Sequence, residues 1–261
     1  MAISLPETIL FFDIFDPSGR AGLPAAAVTA NQLQCHALGA VTALAVQDTA
    51  LTESIHPVDP DILNNQARCL LEDTSIKAIK ASGFYSTESV SVIAQIAADY
   101  DQVPLIVYLG QTFFNTLHLA DHEEIEDITA SVWDLLVPLA HTLVFDHTYL
   151  NQWTGDENGN ITDTINSLLQ KGLSHYLALS GTKHGSSTLY DANSSQLIET
   201  AFPGHHPEAG DITSTALCCY LAKGMPVLQA TEKAIQYTHS LLEKPYSLGM
   251  GRPMPNRIHH D

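Results

Sequence analysis

The chain has 261 residues, 45% of them apolar, and carries 11 Lys and Arg against 29 Asp and Glu for a formal charge of −18. That is enough apolar material for a substantial core, so a disordered chain is excluded, and the length suits one α/β domain over residues 1–261. A surface this acidic repels phosphate backbones and anionic bilayers, which excludes nucleic acid and membranes as expected partners.

The first apolar run, TILFFDIF at 8–15, is rich in strand formers and has no basic region ahead of it. It reads as a leading strand, with neither a signal peptide nor a membrane span. The turn DPSGRAG (16–22) follows, where Pro17 fixes one φ and Gly19 and Gly22 allow backbone conformations closed to other residues. A helix is predicted over 24–37 and a strand over 39–49. Residues 56–74 have a proline-rich entry and then helical spacing at Ile62, Leu63, Ala67, Leu70 and Leu71. A strand at 76–84, a helix at 87–100 and the apolar strand VPLIVYL (103–109) come next. A helix is predicted at 125–140, a strand at 141–146, and a helix at 160–172 capped by Asn160 or Thr162 and ended by Gly172. HYLALSG and SSTLYDA read as strands, 211–223 and 226–243 as helices, and the tail from Gly249 as irregular.

Strands that alternate with helices imply a mainly parallel sheet covered on both faces, with ligands beyond the carboxyl ends of the strands. Asp16, Gln47, the 80–86 turn and Asp146 then share one rim. The sharpest local feature is PEAGDITSTALCCYLAKGM (207–225), where small residues precede Asp211 at a helix start. Such a start offers unpaired N–H groups to a phosphate, although spacing alone reads Asp211 first as a plain N-cap.

These segments, in order, resemble the hydroxymethylpyrimidine/phosphomethylpyrimidine kinases of the ribokinase-like superfamily. The resemblance rests on IFDPSGRAGLPAAAVTANQLQCHALG, ALAVQDT, KASGFYS, VPLIVYLG and PEAGDITSTALCCYLAKG, and covers most of residues 8–243. It implies a three-layer α/β/α sandwich, ATP with Mg2+ as phosphoryl donor, a small pyrimidine alcohol or its monophosphate as acceptor, and a homodimer. By position it makes Gln47 the residue that hydrogen-bonds the pyrimidine, places Asp16, Ala21 and Ala45 at that pocket, and makes Asp211 the base that activates the acceptor hydroxyl. Glu208, Ala209 and Gly210 become the anion hole, and Asp146 a metal ligand. Related readings are a pyridoxal-type kinase and a catalytically silent small-molecule binder.

The chain departs from that pattern at several points. Arg20 replaces the second glycine of SGGAG, Ala26 an aspartate that contacts substrate, and Tyr108 the aspartate of LDPV. Asp146 and Tyr149 replace the asparagine and glutamate of a motif that helps hold magnesium. Ser180 replaces a lysine, with Lys183 close by. Glu208 stands where the anion hole begins with glycine, and a carboxylate facing the transferring phosphate at about 4 Å costs on the order of 4 kcal/mol at an effective dielectric near 20.

Other features read as structural. Cys35, Cys69, Cys218 and Cys219 form no CxxC pair and are expected as buried free thiols in a reducing cytoplasm. Histidine clusters at 204–206, 121–123 and 258–261 lack a metal-ligand spacing. SGTKHGSS (180–187) lacks the spacing of a phosphate loop. Trp133 and Trp153 read as core or interface residues.

Overall fold

The computed structural model describes residues 5–110, 115–120, 125–146, 161–179, 187–198, 202 and 206–258. The apolar runs form strands buried on both faces: every residue of β4 (Ala78–Ala81) and β5 (Leu105–Leu109) is buried. Helices cover both faces of such a sheet. With β1 (Glu7–Phe15), β2 (Cys35–Gln47), β3 (Thr52–Pro57), β6 (Thr142–Asp146), β7 (His175–Leu179), β8 (Ser187–Asp191) and β9 (Ser195–Ile198), the order is β3-β2-β1-β4-β5-β6-β7-β8-β9. The six strands from β2 through β7 in that order are parallel, and β3, β8 and β9 pair antiparallel with their neighbours. This is the expected mainly parallel α/β/α sandwich.

Side-chain parity divides the core. Leu10, Phe12, Ile79 and Val107 belong to one cluster, with residues of α2 (Pro60–Asp73) and α3 (Thr87–Asp99). Ile9, Phe11, Ala78 and Ile106 belong to the other, with α1 (Gly22–Gln32), α6 (Ala209–Ala222) and α7 (Val227–Glu243). Helices α4 (Ile125–Ser131) and α5 (Ile161–Gln170) add to the first layer. Local caps fix the entries: Asp59 accepts from the amides of Asp61 and Ile62 ahead of Pro60, and Ser86 accepts from Ser89.

Several boundaries differ from the sequence reading. Helix α1 ends at Gln32 because Gln34 turns left-handed (φ 55°), and β2 starts at once. The helix expected over 125–140 stops at Ser131. A widened turn at Val132–Leu136 and a tight one at Val137–Leu139 follow. Pro138 has no N–H to continue the ladder. Strands β3 and β9 are edge segments with no apolar run, and the pattern did not show them. Helix α6 begins at Ala209, two residues before the expected start. Asn160 lies outside the described residues. Cys35, Cys218 and Cys219 are buried as expected, but Cys69 is exposed on α2; all four are free. Trp133 packs on Phe145 with ring centroids 6.3 Å apart, as a core residue does, whereas Trp153 lies outside the described residues.

Candidate functional site: the rim where strand order reverses

The chain leaves β1 for β2 on one side and reaches β4 on the other, so a crevice opens between β1 and β4. Parity places three polar positions beside it on the α6 face: Asp13, two residues beyond Phe11; Lys80, two beyond Ala78; and Tyr108, two beyond Ile106. Lys80 is fully buried and donates to Asp13 Oδ2 at 3.0 Å and to Asp211 Oδ1, on the first turn of α6, at 2.5 Å. Burial alone would depress the Lys80 ammonium, but the two carboxylates overcome it and hold it well above its usual value. Burial pushes the Asp13 carboxyl up; Lys80 opposes this and Asp211 adds to it. Asp211 is therefore not an N-cap: it sits third in α6, and its partner is a lysine two strand positions away from the sheet's apolar interior.

The turn after β1 is built as its composition suggested. Asp16 accepts from the amides of Ser18 (2.7 Å) and Ala21 (3.0 Å), which closes the loop. Gly22 has φ +64°, and a Cβ there would run into the Ile14 carbonyl, so only glycine fits. One chamber lies over this turn and is lined by Asp16, Arg20, Ala21, Gln47, Glu208 and Arg252, among others. A second adjoins it, reaching Asp13, Gly83, Tyr108 and Asp211. Ile14, Ala21, Tyr85 and Glu208 line both, so the two chambers share a wall.

Gln47 ends β2 half-buried and lines the outer chamber, and its Oε1 accepts from Thr52 Oγ1 at 2.8 Å. Ala21 lines the chamber. Ala45 does not: it is packed in the core opposite Ile55, which does line it. Asp146 ends β6 at the level of Gly110, on the same rim.

Glu208 precedes α6 with no capping hydrogen bond from its side chain. It does not stand uncompensated at the head of α6. Arg20 Nη1 is 3.6 Å from its Oε1 and Arg252 Nη2 is 3.9 Å, so the like-charge cost expected from the sequence is offset by two guanidinium groups. The amide of Ala209 is taken by His206 O, while those of Gly210 and Asp211 have no backbone acceptor among the described residues. The Tyr108 ring lies against Gly210, where a Cβ would meet its atoms at 2.5–2.8 Å. Tyr149, Ser180, Lys183 and most of the three histidine clusters lie outside the described residues.

Sequence reading missed Asp13, Lys80 and Arg252. For the first two a signal existed: a charged residue inside a strand covered on both faces must find a partner. Asp13 interrupts LFFDIF and Lys80 interrupts IKAIKAS at matching parity.

The profile of the family described as phosphomethylpyrimidine kinase matches residues 16–256. A hydroxymethylpyrimidine/phosphomethylpyrimidine kinase of Bacillus subtilis is 22% identical over 93% of this chain and 92% of its own. Among solved structures, an ADP complex of Bacillus subtilis pyridoxal kinase superposes with a TM-score of 0.82 at 19% identity, covering 96% of this chain and 97% of that one. A phosphomethylpyrimidine kinase of Clostridium difficile gives 0.73 at 21% identity, covering 88% and 98%.

Proposed function

This chain belongs to the phosphomethylpyrimidine kinase family, and we propose that it phosphorylates the hydroxymethyl group of hydroxymethylpyrimidine or its monophosphate with ATP. The observation that carries the reading is the carboxylate of Asp211 at the head of α6, held at one oxygen by buried Lys80 and lining the inner chamber. An acceptor ring in the outer chamber would meet the Gln47 amide, and its hydroxymethyl group would enter the inner one. Lys80 occupies Oδ1 of Asp211, which leaves Oδ2 to take the hydroxyl proton as general base. The amides of Gly210 and Asp211 and the dipole of α6 favour negative charge at that point. MgATP, when bound, supplies the transferable phosphoryl group.

The donor set fits magnesium in one way only. No group of three His, Cys, Asp or Glu among the described residues could hold a metal ion by itself. Magnesium is commonly held by one or two carboxylates plus nucleotide phosphates, and Asp146 on the rim is the carboxylate we assign to it. ATP should then raise the melting temperature with magnesium present and fail to do so in EDTA; equal shifts would remove the metal role from Asp146.

No helix among the described residues is long and apolar enough to cross a membrane. One sheet runs through all described strands, which supports a single domain. The free thiols support a reducing, cytoplasmic setting. Exposed Phe15, Leu44, Val46 and Leu51, near the free edge of the sheet, support a homodimer.

The test is ADP release by purified protein given MgATP and a panel of pyrimidine and pyridine alcohols. Turnover with hydroxymethylpyrimidine is the expected result. No ADP above background with any acceptor would overturn the reading and favour a silent binder.

A further inference from the structure

Two departures from the family pattern, Arg20 and Glu208, each stand where a glycine is usual, and the structure makes them partners. Their contact is incomplete. Arg20 Nη1 and Glu208 Oε1 are 3.6 Å apart, beyond a good charged hydrogen bond, and Arg252 is farther still at 3.9 Å. Glu208 Oε1 is buried and accepts no hydrogen bond. Arg20 Nε is buried and donates none. Both residues are more than nine-tenths buried and line the outer chamber.

The other end of Arg20 is firmly held. Its Nη2 donates to the carbonyls of Thr49 (2.5 Å) and Arg252 (2.8 Å), so the guanidinium keeps its place whether or not Glu208 stays. The Arg252 side chain is 54% exposed. Behind them Arg257 is buried, with Nε and Nη2 unpartnered, and adds its field at Glu208. Arg20 and Arg252 thus line one chamber together with Asp16, Asp48 and Glu208, and of these carboxylates Glu208 is the one that faces both guanidinium groups without a hydrogen bond to its Oε1.

We propose that Arg20 and Arg252 form a binding site for an anionic group on the acceptor, a phosphomonoester or a carboxylate, and that Glu208 fills this site until such a group arrives. Glu208, tethered to the head of α6, does not bring Oε1 to hydrogen-bond distance of either guanidinium. A mobile anion with two or three oxygens can, and it satisfies the guanidinium donors that Glu208 leaves unpaired. Glu208 also lines the inner chamber, so its displacement would alter the wall that the two share. Calling the ligand an acceptor rests on the kinase reading; the anion site itself does not.

The experiment is calorimetry with inorganic phosphate, then with hydroxymethylpyrimidine and its phosphomonoester, on wild type, Arg252→Gln and Glu208→Gln. Wild type should bind the phosphomonoester about tenfold more tightly than the uncharged alcohol, and Arg252→Gln should lose that preference. Glu208→Gln removes the internal competitor and should tighten phosphate binding by about tenfold. Phosphate affinity unchanged in Arg252→Gln would place the anion elsewhere and overturn the proposal, as would weaker or unchanged binding in Glu208→Gln, or no phosphate binding to any of the three. If neither pyrimidine binds while phosphate obeys the expected order, the acceptor reading fails and the anion site stands.

Discussion

Lys80 and Arg20 are cations of the same site and meet their carboxylates in opposite ways. Lys80 is wholly buried, bonded to Asp13 at 3.0 Å and Asp211 at 2.5 Å. Arg20 is pinned by two carbonyls and faces its carboxylate at 3.6 Å. The difference separates a locked cluster from an exchangeable one. Removing one member of a buried, hydrogen-bonded ion cluster strands charge where water cannot reach it, so the cluster holds a geometry fixed. An ion pair whose cation is held in place by backbone carbonyls loses little when its anion is replaced by another.

The largest expected effect breaks the locked side. Lys80→Met leaves Asp13 and Asp211 facing each other without a cation, and should cost about 3–5 kcal/mol of stability by chemical denaturation. An unchanged midpoint would show that the cluster is solvated and not locked. Next, Asp211→Asn keeps an acceptor for Lys80 while removing the base. Turnover should fall by about two decades or more with the fold intact; undiminished turnover would reduce Asp211 to a structural partner of Lys80. A smaller effect is expected where the pocket is polar and half open: Gln47→Ala should weaken pyrimidine binding by about 1–2 kcal/mol, read by calorimetry. Equal affinity would take the ring-reading role away from Gln47.

The smallest expected effect lies at the opposite end of the sheet and serves as a control. Burial, with His175 adding, lowers His141 from 6.5 to about 4. The folded state therefore binds fewer protons than the unfolded one between those values, and the neutral ring contributes stability that is lost as pH falls from 6.5 towards 4. His141→Asn should flatten that part of the stability curve and leave the pH profile of turnover alone. A changed turnover profile would mean that the ends of the sheet are coupled.

The sequence was most legible where backbone demands are strict. The turn at 16–22 needs glycine at positive φ, and Gly19 and Gly22 supply it. The buried parallel strands also announced themselves, because covering on both faces requires continuous apolar runs. The edges did not: TESIHP is largely half-buried or exposed, SQLI is mostly exposed, and neither has such a run. The candidate site was legible in part, since Asp211 and Gln47 were singled out and line adjoining chambers. Its pairings were not, since Lys80 meets Asp13 across 67 positions of sequence and Asp211 across 131. Glu208 shows the risk of reading one residue at a time. Alone it predicts repulsion; beside Arg20 it is compensated.

The hydrogen bond from Arg20 to the Arg252 carbonyl spans 232 positions of sequence. Gly251 N adds a bond to Thr49 Oγ1, and Asn256 N one to Leu241 O, so the segment after α7 is laid down on elements that must already exist. Contacts of such high separation are entropically the last to be rewarded as a chain folds. On that entropic ground the wall of the outer chamber is expected to assemble late. A chain whose sheet is complete but whose residues 246–257 have not docked would keep the Lys80 cluster intact and have no finished acceptor chamber, so competence to bind would trail acquisition of the fold.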